Sequence, residues 1–151
     1  MEIREKYWFR ARVLDNNPMI NPDDGWVQGF YYQDLCGGEM KHFIRSGEMI
    51  WMIAPETIGM FTGIYDNSEE PKPIFEGDIL HMEFADGGKG CYLVGWNSKR
   101  ACFGIINVIF GSEKDEFSFE LWEQVRWKAK AFIIGNIHDY NKHNQQEHGE
   151  K

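Results

Sequence analysis

Ile58-Gly-Met-Phe-Thr-Gly-Ile-Tyr-Asp-Asn-Ser-Glu-Glu-Pro-Lys-Pro-Ile-Phe-Glu-Gly-Asp-Ile-Leu80 is the stretch that decides the fold of this chain. It joins an aromatic segment punctuated by Gly59 and Gly63 to a Phe-Glu-Gly-Asp-Ile motif. Gly77 permits an unusual backbone angle, and the Asp78 side chain can accept hydrogen bonds from backbone N–H groups. We therefore expect Gly77 and Asp78 to form a sharp turn into the first strand of a small barrel.

Outward from this stretch, the chain consists of short apolar segments bounded by turn residues, and no long amphipathic helix is evident. The predicted strands are residues 7–14, 26–32, 49–53, 75–84, 89–96, 101–110 and 131–137. Residues 119–127 fit either a strand or a short helix. The pattern predicts a mainly β protein whose C-terminal part is a small SH3-like barrel, with additional N-terminal strands packed on it.

Two of these segments, residues 89–96 and 101–110, predict a hairpin with a four-residue loop. Its register would pair Trp96 with Ala101 and Val94 with Phe103. The residues then sharing one face are Tyr92, Val94, Trp96, Ala101, Phe103 and Ile105. This face is apolar enough to cover a core.

The predicted organisation is one compact unit built from two segments and a tail. Residues 1–57 form an N-terminal β-strand segment, and residues 58–140 form the barrel. The polar residues 141–151 form a tail that we expect to fray.

Composition and charge restrict the classes of function. The chain has 151 residues, a formal net charge of -8 and 42% hydrophobic residues. Net negative charge disfavours binding to nucleic acid unless the basic residues gather on one face. The chain shows no apolar run of membrane-spanning length and no signal-peptide pattern, so we expect a cytoplasmic protein.

The three cysteines, Cys36, Cys91 and Cys102, show no Cys-x-x-Cys spacing. One of them must stay unpaired in any disulfide arrangement, which favours a reducing compartment. The hairpin register places Cys91 opposite Ile106 and far from Cys102. We expect packed thiols.

Four blocks of sequence carry a resemblance to a known family. They are Phe9-Arg-Ala-Arg12; Gly59 to Asp66 with Ile74 to Ile79; Val94-Gly-Trp96 with Phe103-Gly104; and Ile133-Ile-Gly-Asn-Ile137. With them the chain resembles the YopX-like proteins of phages and prophages. The chain departs from the family pattern in the longer turn at residues 67–73 and in His138, where a tyrosine is usual.

The resemblance implies the SH3-like barrel, an origin in a phage or prophage, and the cytoplasm of a bacterial host. It supplies no catalytic residues to transfer. The residues that we expect to serve the family fold are Gly59, Gly63, Gly77, Asp78, Gly135 and Asn136.

The sharpest enzymatic pattern is Pro22-Asp23 followed by Glu39-Met40-Lys41, which mimics the acidic and lysine signature of metal-dependent nucleases. Such short patterns arise easily by chance, and we favour a turn for Asp23 and a solvated loop for Glu39 and Lys41.

The spacing of His138, His143 and His148 puts them on different faces of a helix. His81 should point to solvent, and no partner is evident for His42. The sequence predicts no metal, no cofactor and no nucleotide-binding loop.

Charge is distributed unevenly along the chain. Seven acids fall between Asp66 and Asp86, against Lys72 alone, whereas residues 126–130 are basic and aromatic. The residues that we expect to contact a partner are Asp66, Glu69, Glu70, Arg126, Trp127, Lys128 and Lys130. A solvated surface with ordinary clustering is the alternative.

Two functions fit these observations. The preferred hypothesis is a non-enzymatic module that binds a host or phage protein and self-associates into a homo-oligomer. The alternative is an accessory protein that binds or processes nucleic acid, in which Trp127 would stack on bases.

Overall fold

The computed structural model describes residues 8–14, 22–107, 117–125 and 129–141. These residues confirm a mainly β protein with two antiparallel sheets. The strands are β1 Phe9–Arg12, β2 Trp26–Cys36, β3 Glu39–Ser46, β4 Met49–Met52, β5 Gly59–Tyr65, β6 Pro73–Phe75, β7 Asp78–Phe84, β8 Lys89–Asn97, β9 Cys102–Asn107, β10 Phe117–Glu120 and β11 Ala129–Asn136. Within the described ranges, no helix is long and apolar enough to cross a membrane.

The chain divides into two compact units, Met1–Gly63 and Ile64–Lys151, whereas the sequence suggested a boundary at residue 57. In the first unit, β1 to β4 form an antiparallel meander, and the 3-10 turn Pro55–Thr57 leads into β5, which pairs with β1. A bridge between Val13 and Ile53 joins the ends of β1 and β4. The core side chains are Ala11, Val13, Val27, Ile44 and Ile53.

The second unit repeats this connectivity. Strands β7 to β10 form a meander, the one-turn helix α1 (Leu121–Glu123) follows, and β11 pairs with β7. Its buried core is Ile74, Leu80, Met82, Tyr92, Val94, Ile105, Leu121 and Ala131. The closure of these strands into an SH3-like barrel stays a prediction.

Several sequence predictions need correction. Glu39 and Lys41 were assigned to a solvated loop, but they belong to β3, which pairs with β2 across the Gly37-Gly38 turn. The strand predicted at residues 75–84 is two strands, because Glu76 and Gly77 form a turn between β6 and β7. Residues 119–127 begin as strand and turn helical at Leu121, and residues 126–128 lie outside the described part.

The predicted β8–β9 hairpin forms, but its register is displaced by two residues. Trp96 pairs with Phe103 and Val94 with Ile105, so the loop is residues 98–101. An even displacement preserves which side chains share a face, because alternation has a period of two. Tyr92, Val94 and Ile105 are therefore buried as predicted, whereas Trp96 is 45% exposed and Ala101 lies in the loop.

The Phe-Glu-Gly-Asp-Ile motif (residues 75–79) and the Ile-Gly-Asn-Ile motif (residues 134–137) are in contact in the second unit. The Asp78 carboxylate is fully buried, and its Oδ2 accepts a hydrogen bond from the Phe75 amide at 2.8 Å. The Asn136 Nδ2 donates to Asp78 Oδ1 at 3.5 Å. Gly77 adopts a φ of +90°, which favours glycine, and its amide donates to the carbonyl of Val94. The predicted turn is therefore present, and it ties β6 and β7 to the end of β11.

Candidate functional site

The first unit presents an unusual surface on the side of its sheet opposite to the core. Alternation along β1 to β3 buries Ala11, Val27 and Ile44 and turns their neighbours outward. We call the outward side chains of β1 to β4 the outer face: Arg10, Arg12, Trp26, Gln28, Phe30, Tyr32, Asp34, Cys36, Glu39, Lys41, Phe43, Arg45, Ile50 and Met52. It combines aromatic, aliphatic and basic side chains with the carboxylates of Asp34 and Glu39 near the hairpin tip.

The centre of the outer face is apolar and open to solvent. Cross-strand pairing sets Phe30 beside Arg45 and Arg45 beside Ile50, while Tyr32 and Phe43 stack with ring centroids 5.3 Å apart. Phe30 is 49% exposed, Tyr32 36% and Ile50 39%. Single exposed apolar residues are ordinary, whereas a contiguous group on one sheet makes this face a candidate interaction surface.

The four lysine and arginine side chains among the described residues of the first unit all lie on this face. Arg10 and Arg12 hold their guanidinium groups over the Trp26 ring, 5.0 and 5.6 Å from its centroid. Such cation–π contacts keep the charge close to the aromatic surface. Lys41 lies opposite Asp34, near the hairpin tip.

A cavity of about 690 Å³ opens beside Phe30. It is lined by Trp8, Phe30, Arg45 and the Ser46-Gly47 turn that follows Arg45. The remaining lining comes from Gln28 and Gly29. The cavity is of the size that takes a small ligand or a large side chain. We call it the Trp8–Arg45 pocket.

Gly29 lets β2 and β3 approach closely at this pocket. A Cβ atom added to Gly29 would lie 2.2 Å from the carbonyl oxygen of Arg45, well inside contact distance. The Arg45 Nε donates to the carbonyl of Gly47 at 3.1 Å, which orients the guanidinium. The close packing of Gly29 on the Arg45 backbone and the hydrogen bond from Arg45 Nε to Gly47 thus position the Arg45 guanidinium at the pocket.

A polar group lies on the opposite side of the same hairpin. Tyr31 Oη and His42 Nδ1 are 2.6 Å apart, and Gln33 Nε2 donates to Tyr31 Oη at 2.6 Å. The Tyr31 and His42 rings also stack. This network gives His42 the partner that sequence spacing could not identify.

The basic segment predicted to bind a partner is described only in part. Arg126, Trp127 and Lys128 lie outside the described residues. Lys130 is exposed on β11 and pairs with Glu83, which also lies 3.6 Å from the Lys89 ammonium. A binding role for this segment stays a prediction.

The acidic turn after β5 is held together by Asp66, which is only 5% exposed. Its Oδ1 accepts hydrogen bonds from the Ser68 hydroxyl at 2.6 Å, the Lys72 amide at 2.9 Å and the Ser68 amide at 3.3 Å. Its Oδ2 accepts one from the Ile133 amide at 3.3 Å. Glu69 and Glu70 are exposed. Of the three predicted acids, Asp66 therefore maintains the turn, and the two glutamates face solvent.

These contacts make the turn sensitive to acid. Burial raises the pKa of Asp66, but the hydrogen bonds from Lys72, Ser68 and Ile133 outweigh it and hold the pKa below its ordinary value of 3.8. Because the pKa of Asp66 is lower in the folded chain than in the unfolded chain, the ionised carboxylate stabilises the fold at pH values above its ordinary pKa. This stabilisation is lost as the pH falls through the pKa that Asp66 has in the folded chain.

We therefore expect Asp66→Asn to lower the free energy of unfolding by about 2 kcal/mol at neutral pH, since charge-assisted hydrogen bonds are lost. The deficit should shrink as the pH falls below 3.8. Urea unfolding at neutral and acidic pH measures it, with the exposed Glu69→Gln as control. A deficit that is equal at both pH values would contradict this account.

The nuclease-like residues do not converge. Asp23 is exposed in the turn before β2, whereas Glu39 and Lys41 lie on β3 beside the far end of β2. Eight residues of extended strand separate Trp26 from Asp34, the partner of Lys41, a distance of about 26 Å. Across the described ranges, no group of three His, Cys, Asp or Glu side chains could hold a metal ion.

The remaining sequence candidates have local roles. All three cysteines are free and half-buried, and Cys91 pairs with His81 across β7, while Ile106 lies opposite Leu93. His81 is half-buried, with its Nε2 3.6 Å from Glu83. The His138 amide donates to Asn136 Oδ1, and His143 and His148 lie outside the described residues.

Sequence reasoning missed the outer face because it missed β3. One signal was available: Gly37-Gly38 between two alternating segments is typical of a two-residue hairpin turn, and both glycines have positive φ. Pairing the segments across this turn would have placed Phe30 beside Arg45. The pocket itself needs the additional pairing of β1 with β2, which brings Trp8 near Phe30.

Comparison with protein-family models matches residues 8–142 to the family described as YopX protein. The matched range runs from just before β1 to just after β11 and so includes every strand described above. No curated protein and no solved structure matches the chain.

Proposed function

This chain belongs to the YopX protein family, and we propose that it is a non-enzymatic protein-interaction module that binds its partner through the outer face of the first unit. The observation that carries the proposal is the contiguous exposure of Phe30, Tyr32 and Ile50 around Arg45. Aromatic and arginine side chains together are the composition enriched at the centres of protein interfaces.

The shape of the surface also favours a protein partner. Strands β2 to β4 form a continuous antiparallel sheet, so the exposed side chains stand on a rigid backbone. Little conformational entropy is then lost when they are covered, which favours association.

Binding of nucleic acid is the second candidate, since four cations and several aromatic residues share this face. However, Arg10 and Arg12 already cover one side of the Trp26 ring. The net charge of -8 also repels nucleic acid, which carries one negative charge per phosphate, and so disfavours its binding. Phage or prophage origin, bacterial cytoplasm and self-association remain parts of the proposal.

A double substitution tests the proposal. We expect Phe30→Ser with Ile50→Ser to remove the apolar centre and weaken partner binding at least about tenfold, as for an interface hot spot. The control is Ile134→Ser, because Ile134 is 57% exposed but belongs to the second unit. The wild type, the double variant and the Ile134→Ser form are each used to capture proteins from bacterial lysate, and the captured proteins are identified. The protein that the wild type captures in the largest amount is purified, and its Kd for each form is measured.

The outcomes separate the candidates. A protein that binds the wild type and the Ile134→Ser form alike, but the double variant weakly, supports the proposal. Equal Kd values for all three forms would overturn it. Recovery that disappears on nuclease treatment would favour the nucleic-acid function, and a concentration-dependent mass in light scattering would identify a second copy as the partner.

A further inference from the structure

We propose that the Trp8–Arg45 pocket binds one apolar side chain of an acidic protein segment, and that a carboxylate next to that side chain pairs with Arg45. This inference rests on the proposed function, because it specifies the kind of partner that the outer face binds. Phe30 provides the link, since it lines the pocket and is also the most exposed aromatic residue of the outer face.

The lining of the pocket indicates an apolar occupant. Two aromatic residues, Trp8 and Phe30, line the pocket, and the lining surface is predominantly apolar. Water in such a cavity has few hydrogen-bonding groups to bind, so an apolar side chain that displaces it gains free energy. A volume of about 690 Å³ is large enough for an aromatic or a long aliphatic side chain.

The charge at the pocket indicates an acidic neighbour. Arg45 is exposed, and its Nε donates a hydrogen bond to the Gly47 carbonyl. Among the described residues that line the pocket, none is acidic. Glu48, the next residue along the turn, is exposed and is not part of the lining. A guanidinium pairs well with a carboxylate, because its planar donors match two oxygens.

A short acidic segment fits better than a nucleic acid. Arg45 is the one cation among the described residues that line the pocket, whereas affinity for a phosphate backbone comes from many cations acting together. The net charge of -8 repels a polyanion more strongly than a segment that carries two or three carboxylates. The apolar side chain supplies affinity, and the carboxylate supplies selectivity.

Synthetic peptides test this directly. The probes are fluorescein-labelled peptides of equal length that contain a central Phe flanked by Glu, the same peptide with Gln in place of Glu, and the Glu peptide with Ala in place of Phe. An oligothymidine of similar charge is the fourth probe. Fluorescence anisotropy with the full chain measures each Kd at about 50 mM and about 0.5 M salt.

We expect the Glu-Phe peptide to bind at least about tenfold more tightly than either altered peptide at low salt, with the advantage over the Gln peptide lost at high salt. Arg45→Gln should reduce the affinity for the Glu-Phe peptide to that for the Gln peptide. The matched control is Lys99→Gln, which removes an exposed cation from the loop between β8 and β9 of the second unit, outside the pocket lining, and should change little.

Equal binding of the Glu and Gln peptides would overturn the inference, as would an Arg45→Gln form that behaves as the wild type. Tighter binding of oligothymidine than of any peptide would also overturn it. These results leave the proposed function intact if the Phe30→Ser, Ile50→Ser double variant still loses its partner. If the double variant keeps its partner, the proposed function fails on its own measurement.

Discussion

Replacing Asp78 by alanine is expected to lower the free energy of unfolding by about 3 kcal/mol or more. The substitution removes a fully buried carboxylate that accepts the Phe75 amide at 2.8 Å and faces the Asn136 Nδ2. Each buried donor left without an acceptor costs about 1–3 kcal/mol, and the cavity adds to this. Urea unfolding of the wild type and the variant measures the difference.

Two comparisons show whether burial causes this effect. Asp86→Ala removes an aspartate that also accepts an amide, that of Gly88 at 2.8 Å, but in an exposed turn. We expect that loss to stay below about 1 kcal/mol. Asn136→Ala should destabilise by an intermediate amount, since it removes the side-chain amide that donates to Asp78 Oδ1. A loss for Asp78→Ala no larger than that for Asp86→Ala would contradict the assignment.

The second large effect is expected at Gly29. A Cβ atom there would lie 2.2 Å from the carbonyl oxygen and 2.9 Å from the carbonyl carbon of Arg45. Backbone atoms cannot move aside as a flexible side chain can, so Gly29→Ala must separate β2 from β3. We expect a loss of about 3 kcal/mol, at the upper end for overpacking. Urea unfolding measures the loss, and hydrogen exchange of the β2 and β3 amides locates it.

Gly135→Ala is the matched control, because nothing lies within 4 Å of a Cβ atom added at that strand position. It should change stability by less than about 0.5 kcal/mol. The account would be contradicted if Gly29→Ala had the same free energy of unfolding as the wild type and its β2 and β3 amides exchanged hydrogen equally slowly. The close approach of Gly29 to the Arg45 carbonyl would then not restrict which residues position 29 accepts.

Much of the second unit could be predicted from sequence. Its strands are separated by recognisable turns, such as Asp86-Gly87-Gly88, and its core residues follow a period of two. Asp78 and Gly77 were identified as turn residues because the backbone conformation demands these residue types. The hairpin register was displaced by two residues, because a four-residue loop can begin at residue 97 or at residue 98 with similar local chemistry.

The first unit was harder to predict, for a different reason. The strand predicted at residues 7–14 is present as β1, with Ala11 and Val13 buried and Arg10 and Arg12 on the other side. In β3, however, Glu39, Lys41 and Arg45 interrupt any apolar pattern, because much of this strand is exposed. A strand that buries little of its surface leaves little hydrophobic signal in its sequence.

The sequence by itself determined the mainly β class, the turn at Gly77 and Asp78, and the family, because these depend on residue types at local spacing. Only the tertiary structure decided where the candidate site lies. Trp8, Phe30 and Arg45 are distant in sequence, and the pairing of β1 with β2 and of β2 with β3 brings them to one pocket. The structure likewise assigned Asp66 to the interior of its turn, since the Ile133 amide that it binds comes from a strand 67 residues away.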